Sequence, residues 1–421
     1  MNFILFDGPY RNALRPFTHT RPIADIRVGI LTVREKWETY LGSTTTTVTE
    51  QYLSEKFPMV ESLENVMING AYLPNRDLVE MVLNLGKNEA IFQDQVAVAY
   101  KVTKNQKSIN FKDFKIKICP DSVMSIKNSW DIFRLNGKAI ELDFSLITKG
   151  RKSQVIPQGV KFKNESLVFI EEGAEVSFSS LNASDGPIYI GKNSNIMEGC
   201  LIRGPFALCE NSVLKMGSKI YGPTSVGPFC KVGGEINNSV FLGYSNKAHD
   251  GFLGNSVIGE WCNLGANTNN SNLKNNYAEV RLWDYEHEKF KNTGLKFCGL
   301  FMGDHSKCGI NTMFNTGTTV GTNVRDAAFQ IFRFTTVDTG LNYNAWEEMK
   351  NSAETFGLYG AGSTGYGALG NNFAPDPTSI KYSSPVQVGS DTTWSWAYVS
   401  DGGSFAVKTD GTLWSWGSTT D

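Results

Sequence analysis

A chain of 421 residues is long enough for two or three domains, each burying a core of its own. Apolar residues at 41% and charged residues at 19% describe an ordinary globular composition, and a formal net charge of −2 offers no global attraction for nucleic acid or an acidic membrane. No stretch approaches the roughly 20 apolar residues that span a bilayer, so neither nucleic acid nor membrane is expected as a partner.

The opening MNFILFDGPYRN reaches a charge by Asp7 and has no secretory core behind it. Seven cysteines include no C-x-x-C pair, which signals neither a zinc ribbon nor a disulfide framework. A reducing, cytoplasmic setting is the expectation.

Residues 1–150 are expected to form an α/β domain. NFILFDG (2–8) reads as a strand into a turn, and VGILTVREKWETYL (28–41) as a helix. ENVMINGAYL (64–73) reads as a second strand and PNRDLVEMVLNL (74–85) as a second helix. Alternation of this kind predicts a largely parallel sheet, with ligands bound at the carboxyl ends of its strands. The turn Asp7-Gly8-Pro9-Tyr10-Arg11 lies at that end.

A different periodicity governs residues 151–321. Steps of six from Ile190 meet Ile196, Ile202, Leu208, Leu214, Ile220, Val226 and Val232, with Gly191, Gly227 and Gly233 following the aliphatic residue. A period of six fits neither a helix nor a simple alternating strand. It fits a chain wound into a triangular prism, one hexapeptide per side, whose inward aliphatics stack from coil to coil. The phase slips and resumes at Phe252, Ile258 and Leu264, then slips again and resumes at Met302, Cys308, Phe314 and Val320. The slips predict loops expelled from the wall, a short one around 236–250 and a long one around 267–300. Loops on a rigid scaffold are where function tends to sit.

Residues 322–357 form a junction that the pattern does not place. From 358 the chain is rich in Gly, Ser, Thr and Trp, and SFAVKTDGTLWSWG (404–417) predicts a hairpin across Asp410-Gly411.

FDGPYRNALRPFTHTRPIADIR (6–27), NNSVFLGYSNKAHDGFLGNSVIGEWCNLGANTNNSNLKNN (237–276) and GDHSKCGINTMFNTGTTVG (303–321) carry a resemblance. Residues 1–321 resemble the bifunctional uridylyltransferase/N-acetyltransferase family of GlmU type, in particular a divergent bacterial branch. The resemblance implies a nucleotidyltransferase-like α/β domain followed by a left-handed parallel β-helix of hexapeptide repeats. It also implies a homotrimer with active sites between neighbouring coils. The implied activity is acetyl-CoA-dependent N-acetylation of glucosamine-1-phosphate, coupled to UTP-dependent formation of UDP-N-acetylglucosamine for cell-envelope precursors. The tail, 358–421, resembles a partial β-propeller repeat of the chromosome-condensation-regulator type, and a hybrid chain without intact activity is one reading of the join.

Residue by residue, the resemblance makes His249, in KAHDGFLG, the base that deprotonates the sugar amine, a task suited to an imidazole at neutral pH. The reading without the resemblance is a histidine satisfied in a surface loop. Glu235, Asn237, Phe252, Asn263 and Asn272 match substrate-contacting positions, although Asn237 stands where a lysine is common and Phe252 lacks a hydroxyl. Ala266 matches the small residue facing the thioester of acetyl-CoA. The Asn-rich run 267–276 is either a solvated loop or a set of amides holding sugar hydroxyls.

In the first domain Gly8 and Arg11 match a phosphate-cradling turn, and Arg21 stands in for the charge of a lysine lost at Pro22-Ile23. Ala71 occupies the position of a metal-binding aspartate, so no metal ligand is assigned, and Mg2+ and UTP are implied only for an active first domain. The alternative reading is a protein that binds a sugar nucleotide without catalysis. A metal hydratase of the γ-carbonic-anhydrase type, which shares the coil, needs an H-x4-H pair that this sequence lacks.

Overall fold

The computed structural model describes residues 1–324, apart from 105, 107 and 108, together with Thr412 and five strands near the carboxyl end. Residues Met1–Phe329 make one compact unit and Gln330–Asp421 a second. In the second unit Tyr359–Ser363 pairs antiparallel with Lys381–Gln387, and Trp394–Val399, Gly403–Lys408 and Leu413–Gly417 form an antiparallel sheet. The arms of the expected hairpin therefore pair. Its Asp410-Gly411 turn, the junction of 322–357 beyond residue 324 and most of the tail expected to form a propeller repeat lie outside the described residues.

In the first unit, β1 (Asn2–Phe6), β2 (Thr46–Val48), β3 (Glu64–Asn69), β4 (Glu89–Gln93), β5 (Val96–Thr103) and β6 (Lys115–Ile118) form one sheet in the order β2-β1-β3-β5-β4-β6. The sheet is mixed, which corrects the expectation of a largely parallel one: β5 runs antiparallel to both β3 and β4. The reason is a two-residue hairpin whose turn, Asp94-Gln95, has φ of 46° and 66°. Two positive φ values match the twist of paired strands, but Asp-Gln lacks the glycine that advertises such a turn.

Helix α1 spans Val33–Leu41, beginning later than the sequence pattern predicts. Thr32 and Glu35 form a reciprocal capping box that fixes the start, and Gly42 at φ 63° ends the helix. Residues 28–32 instead make a tight turn around Gly29 at φ +92°, whose Cβ position is blocked by Asp143 and Ala139. Helix α2 spans Arg76–Leu83, with the Asn75 side chain accepting from the Leu78 N–H. Two further helices, α3 (Asp131–Arg134) and α4 (Asn136–Thr148), lead into the prism.

The prism is a left-handed parallel β-helix with three walls. One wall runs from Lys161–Lys163 to Phe252–Gly254, a second from Val168–Ile170 to Thr318–Val320, and a third from Glu175–Val176 to Lys307–Cys308. All their neighbouring strands pair parallel. The eight residues from Ile190 to Val232 at sixfold spacing are all at most 3% exposed and share one core.

Two details of the phase differ from expectation. Residues 235–247 are not an expelled loop; they form the strands Glu235–Asn237, Val240–Gly243 and Asn246–Lys247 within the walls. The phase slips because a coil shortens: Val232 is followed one coil later by Lys247, three residues sooner than the regular step from Leu214 to Val232. In the next strand Leu253, not Phe252, stacks on Ile236 and is buried. The long interruption leaves the wall after Asn269–Asn270 and carries the hairpin Arg281–Asp284/Lys289–Asn292.

The α/β layer and the outer face of the second wall share one hydrophobic core, in which Leu14, Phe17, Ile23 and Val28 meet Val240, Leu242, Val257 and Phe301. Burial of this kind contributes about 25 cal/mol per Å2 of apolar surface removed from water. Asn136 stitches the layers with polar contacts: its Oδ1 accepts from the Gly29 N–H and the Ser225 hydroxyl, and its Nδ2 donates to the Pro223 carbonyl. One corner of the prism carries Phe229, Tyr244, Trp261 and His305, all at positive φ, their rings stacked one above the next. Bulky residues rarely adopt that backbone, and the ring stacking offsets part of its cost.

Candidate active site

The turn Ala248-His249-Asp250-Gly251 joins strand Asn246–Lys247 of the third wall to Phe252–Gly254 of the first. It is fixed from three sides. The Gly251 carbonyl accepts the Glu235 N–H from the coil on one side. On the other side Gly251, at φ +117°, packs so tightly that a Cβ would lie 2.1 Å from the Thr268 carbonyl oxygen. From inside the prism Lys247 Nζ donates to the His249 carbonyl at 2.8 Å and to that of Asp250 at 3.1 Å.

The His249 side chain is exposed, and no side chain among the described residues holds its imidazole by a hydrogen bond. It opens on a cleft of about 490 Å3 lined by Lys215, Met216, Gly234, Ala248, His249, Asp250, Ala266 and Asn267. Two of the residues expected from the sequence, His249 and Ala266, therefore meet in one cleft. Lys215 adds a cation and Asp250 a carboxylate, neither of which the sequence reading singled out. Lys247 also escaped it, because a lysine breaks the aliphatic pattern by which inward positions are recognised.

The other expected contacts lie elsewhere on the prism. Glu235, Asn237 and Phe252 sit on the first wall, where Glu235 is in register with Phe252 and accepts a hydrogen bond from the Tyr221 hydroxyl. Asn263 is exposed on the third wall, in register with Asn246 and Lys307. Asn272 opens the long interruption, where its amide donates to Asn255 Oδ1 at 2.8 Å.

Within the Asn-rich run, Asn269 and Asn270 serve the wall of the prism itself. Asn269 Oδ1 accepts the Phe252 N–H and Asn270 Oδ1 accepts the Gly254 N–H, each at 2.8 Å. These side chains take the place of the next strand along the edge of the first wall, satisfying backbone donors that would otherwise be orphaned.

In the α/β layer, Gly8 lies against Asn69, where a Cβ would come within 2.4 Å of the amide nitrogen. Arg11 is buried and turned inward: it pairs with Asp7 and donates to the Thr18 carbonyl and the Tyr52 hydroxyl. Asp7 also accepts the Ile23 N–H and the Thr49 hydroxyl, while burial pushes its carboxyl above the usual aspartate range. Arg21 is 4% exposed and pairs with Asp304 and Glu260 of the β-helix, its Nη1 buried without a partner. Both arginines are thus committed to internal ion pairs.

A magnesium ion does not fit here. Ala71 offers no side-chain oxygen, and the Asn69 amide is engaged by the Ala71 N–H and the Ala97 carbonyl. Elsewhere, Asp284, Glu286 and His287 approach one another on the long hairpin. There His287 Nδ1 lies 2.9 Å from Asp284, and Asn12 donates to Glu286, which ties the hairpin to the α/β layer. All seven cysteines are buried and unpaired. Among the described residues no helix is long and apolar enough to cross a membrane.

Residues 3–152 match the family described as sugar nucleotidyl transferase. The bifunctional protein GlmU of Synechococcus elongatus is 23% identical over 233 residues, which cover 50% of this chain and 47% of that protein. The bifunctional protein GlmU of Methanococcus aeolicus is 36% identical over 89 residues, 21% of each chain. A bifunctional sugar-1-phosphate nucleotidylyltransferase/acetyltransferase of Sulfurisphaera tokodaii is 29% identical over 163 residues, 34% of this chain and 40% of that one. The chain spans about half the length, or less, of the curated relatives it matches. It carries a sugar nucleotidyltransferase domain and is a distant relative of bifunctional transferases of this type.

Proposed function

We propose that the β-helix transfers an acetyl group from acetyl-CoA to the amine of glucosamine-1-phosphate, with His249 as general base. The observation that carries this reading is the meeting of an exposed histidine and a small residue, Ala266, in one cleft. His249 takes a proton from the sugar ammonium, whose nitrogen lone pair then attacks the thioester carbonyl. Collapse of the tetrahedral intermediate breaks the C–S bond; the departing thiolate takes the second proton from nitrogen, and the imidazolium of His249 releases the first to solvent. Ala266 leaves room for the thioester, and Lys215 supplies a positive charge for the sugar phosphate in place of the lysine absent at Asn237. Glu235, Phe252, Asn263 and Asn272 reach substrate across neighbouring coils of a trimer. The test is release of free CoA on mixing the protein with glucosamine-1-phosphate and acetyl-CoA. General-base catalysis contributes about 10^2- to 10^4-fold, so His249→Ala should lower the rate by that factor.

A second reading concerns the α/β layer and is favoured by the committed pairs of Arg11 and Arg21 and by Ala71. This layer binds a sugar nucleotide without transferring its nucleotidyl group. Titration calorimetry should then register UDP-N-acetylglucosamine, while UTP and magnesium produce no pyrophosphate exchange. Robust exchange removes this second reading.

A further inference from the structure

We infer that Lys247 is a positioning residue for His249, acting from inside the prism through the carbonyls of the turn that carries the imidazole. This rests on the proposed role of His249 and adds the device that aims it.

The inner column at this corner runs Val176, Ile196, Leu214, Val232, Lys247, Leu264 and Cys308, as the strand register sets it. Lys247 is the charged member of a stack otherwise built of aliphatic side chains and a thiol, and it is 1% exposed. Its methylene stem occupies the volume that Leu214 and Leu264 fill in their own coils. Its ammonium ends at the corner, where it donates to the His249 and Asp250 carbonyls. Desolvating an ammonium is costly, and an aliphatic residue would fill the same space without that cost. What the lysine adds is directional: two hydrogen bonds to consecutive carbonyls of one turn.

The turn needs such a hold. The corner keeps the regular step of six, from Lys247 to Leu253, but its backbone departs from its neighbours: Gly251 sits at φ +117°, where Gly199 and Gly217 turn the corresponding corners at 75° and 69°. The Glu235 N–H reaches Gly251 at 3.2 Å, beyond His249 in the chain, and leaves the carbonyls of 249 and 250 to Lys247. Misplacing a reacting group by about 1 Å can cost 10^2-fold in rate, so a loosened turn is read directly in turnover.

The test uses the full chain with Lys247→Met, which keeps the stem and removes the charge. Lys247→Leu serves if the methionine variant does not fold. The inference predicts kcat for acetyl transfer lowered about 10- to 100-fold, with KM for glucosamine-1-phosphate within about twofold of wild type. It predicts faster amide hydrogen exchange confined to residues 248–252, and a melting temperature no lower than wild type. Combining Lys247→Met with His249→Ala should give a rate no lower than His249→Ala alone, because the lysine acts through the histidine. Unchanged exchange at 248–252 in the folded variant overturns the inference, as does faster exchange throughout the prism with a lower melting temperature. If wild type transfers no acetyl group, the proposed function falls, and the exchange measurement alone still decides whether Lys247 holds the turn.

Discussion

Arg21 and Asp304, separated by 283 positions in the chain, meet as a buried ion pair between the α/β layer and the β-helix. Asp304 is 2% exposed and also accepts from the Thr20 hydroxyl and the Glu260 N–H. One carboxylate thus ties the segment after β1 to the wall of the prism. It explains why an arginine expected to meet a nucleotide is instead part of the joint.

Removing Asp304 leaves the guanidinium of Arg21 in a buried site with the half-buried Glu260, 3.2 Å away, as its remaining carboxylate. Breaking a buried pair from one side typically costs about 3–5 kcal/mol, whereas replacing both partners by apolar groups costs much less. Asp304→Ala should therefore lower the unfolding free energy in urea by that amount, and Arg21→Met with Asp304→Leu should recover most of it. Equal losses in the single and double variants would show that the pair is not the joint.

Burial pulls the ammonium of Lys247 down to about 8 from its ordinary 10.5, and Asp250 and Cys308 are the titratable groups that face it. Between those values the unfolded chain binds more protons than the folded one. This group's contribution to stability therefore rises with pH across the window and is lost as pH falls through about 8. At 1.36 kcal/mol per unit the full effect is at most about 3 kcal/mol. The difference in stability between Lys247→Met and wild type should be largest near pH 7, in favour of the variant, and should shrink by pH 10. A pH-independent difference would contradict this.

Glycine at position 8 answers to Asn69, whose amide fills the space a Cβ would need. Gly8→Ala should cost about 1–3 kcal/mol as an overpacking change. The cost should largely disappear in an Asn69→Ala background, as measured by denaturant midpoints. Persistence of the full cost would point to the backbone conformation instead.

Gly251→Ala addresses the site itself. At φ +117°, with the Thr268 carbonyl 2.1 Å from the added carbon, the turn has to move. We expect loss of acetyl transfer exceeding tenfold with far-ultraviolet circular dichroism retained, because the walls do not depend on this corner. Wild-type turnover would contradict the described geometry.

The prism was legible because its signal is local and redundant: Ile202, Leu214 and Val226 repeat one requirement at one spacing, and each is buried in the shared core. The shortened coil was not legible. It ends on Lys247, an inward position that is not aliphatic, and the next inward residue is Leu253, where the aliphatic period alone points to Phe252. The turn of His249 shows in the sequence because it breaks the pattern, whereas the lysine beneath it breaks the same pattern and carries no sign that it points inward. In the α/β layer, the Asp94-Gln95 hairpin carries no turn signature, so the antiparallel strand β5 stayed hidden. The fates of Arg11 and Arg21 depend on Asp7 and Asp304, and pairing over such distances leaves no trace in local sequence. The Asn-rich run showed its composition but not its use as a substitute strand edge.

The most direct measurement is a thiol-detecting assay of CoA release from acetyl-CoA and glucosamine-1-phosphate, run on wild type and His249→Ala side by side. The account predicts steady release by the wild type and a fall of about 10^2-fold or more in the variant, with unchanged folding. Equal rates in both proteins, or none from folded wild type, would contradict it.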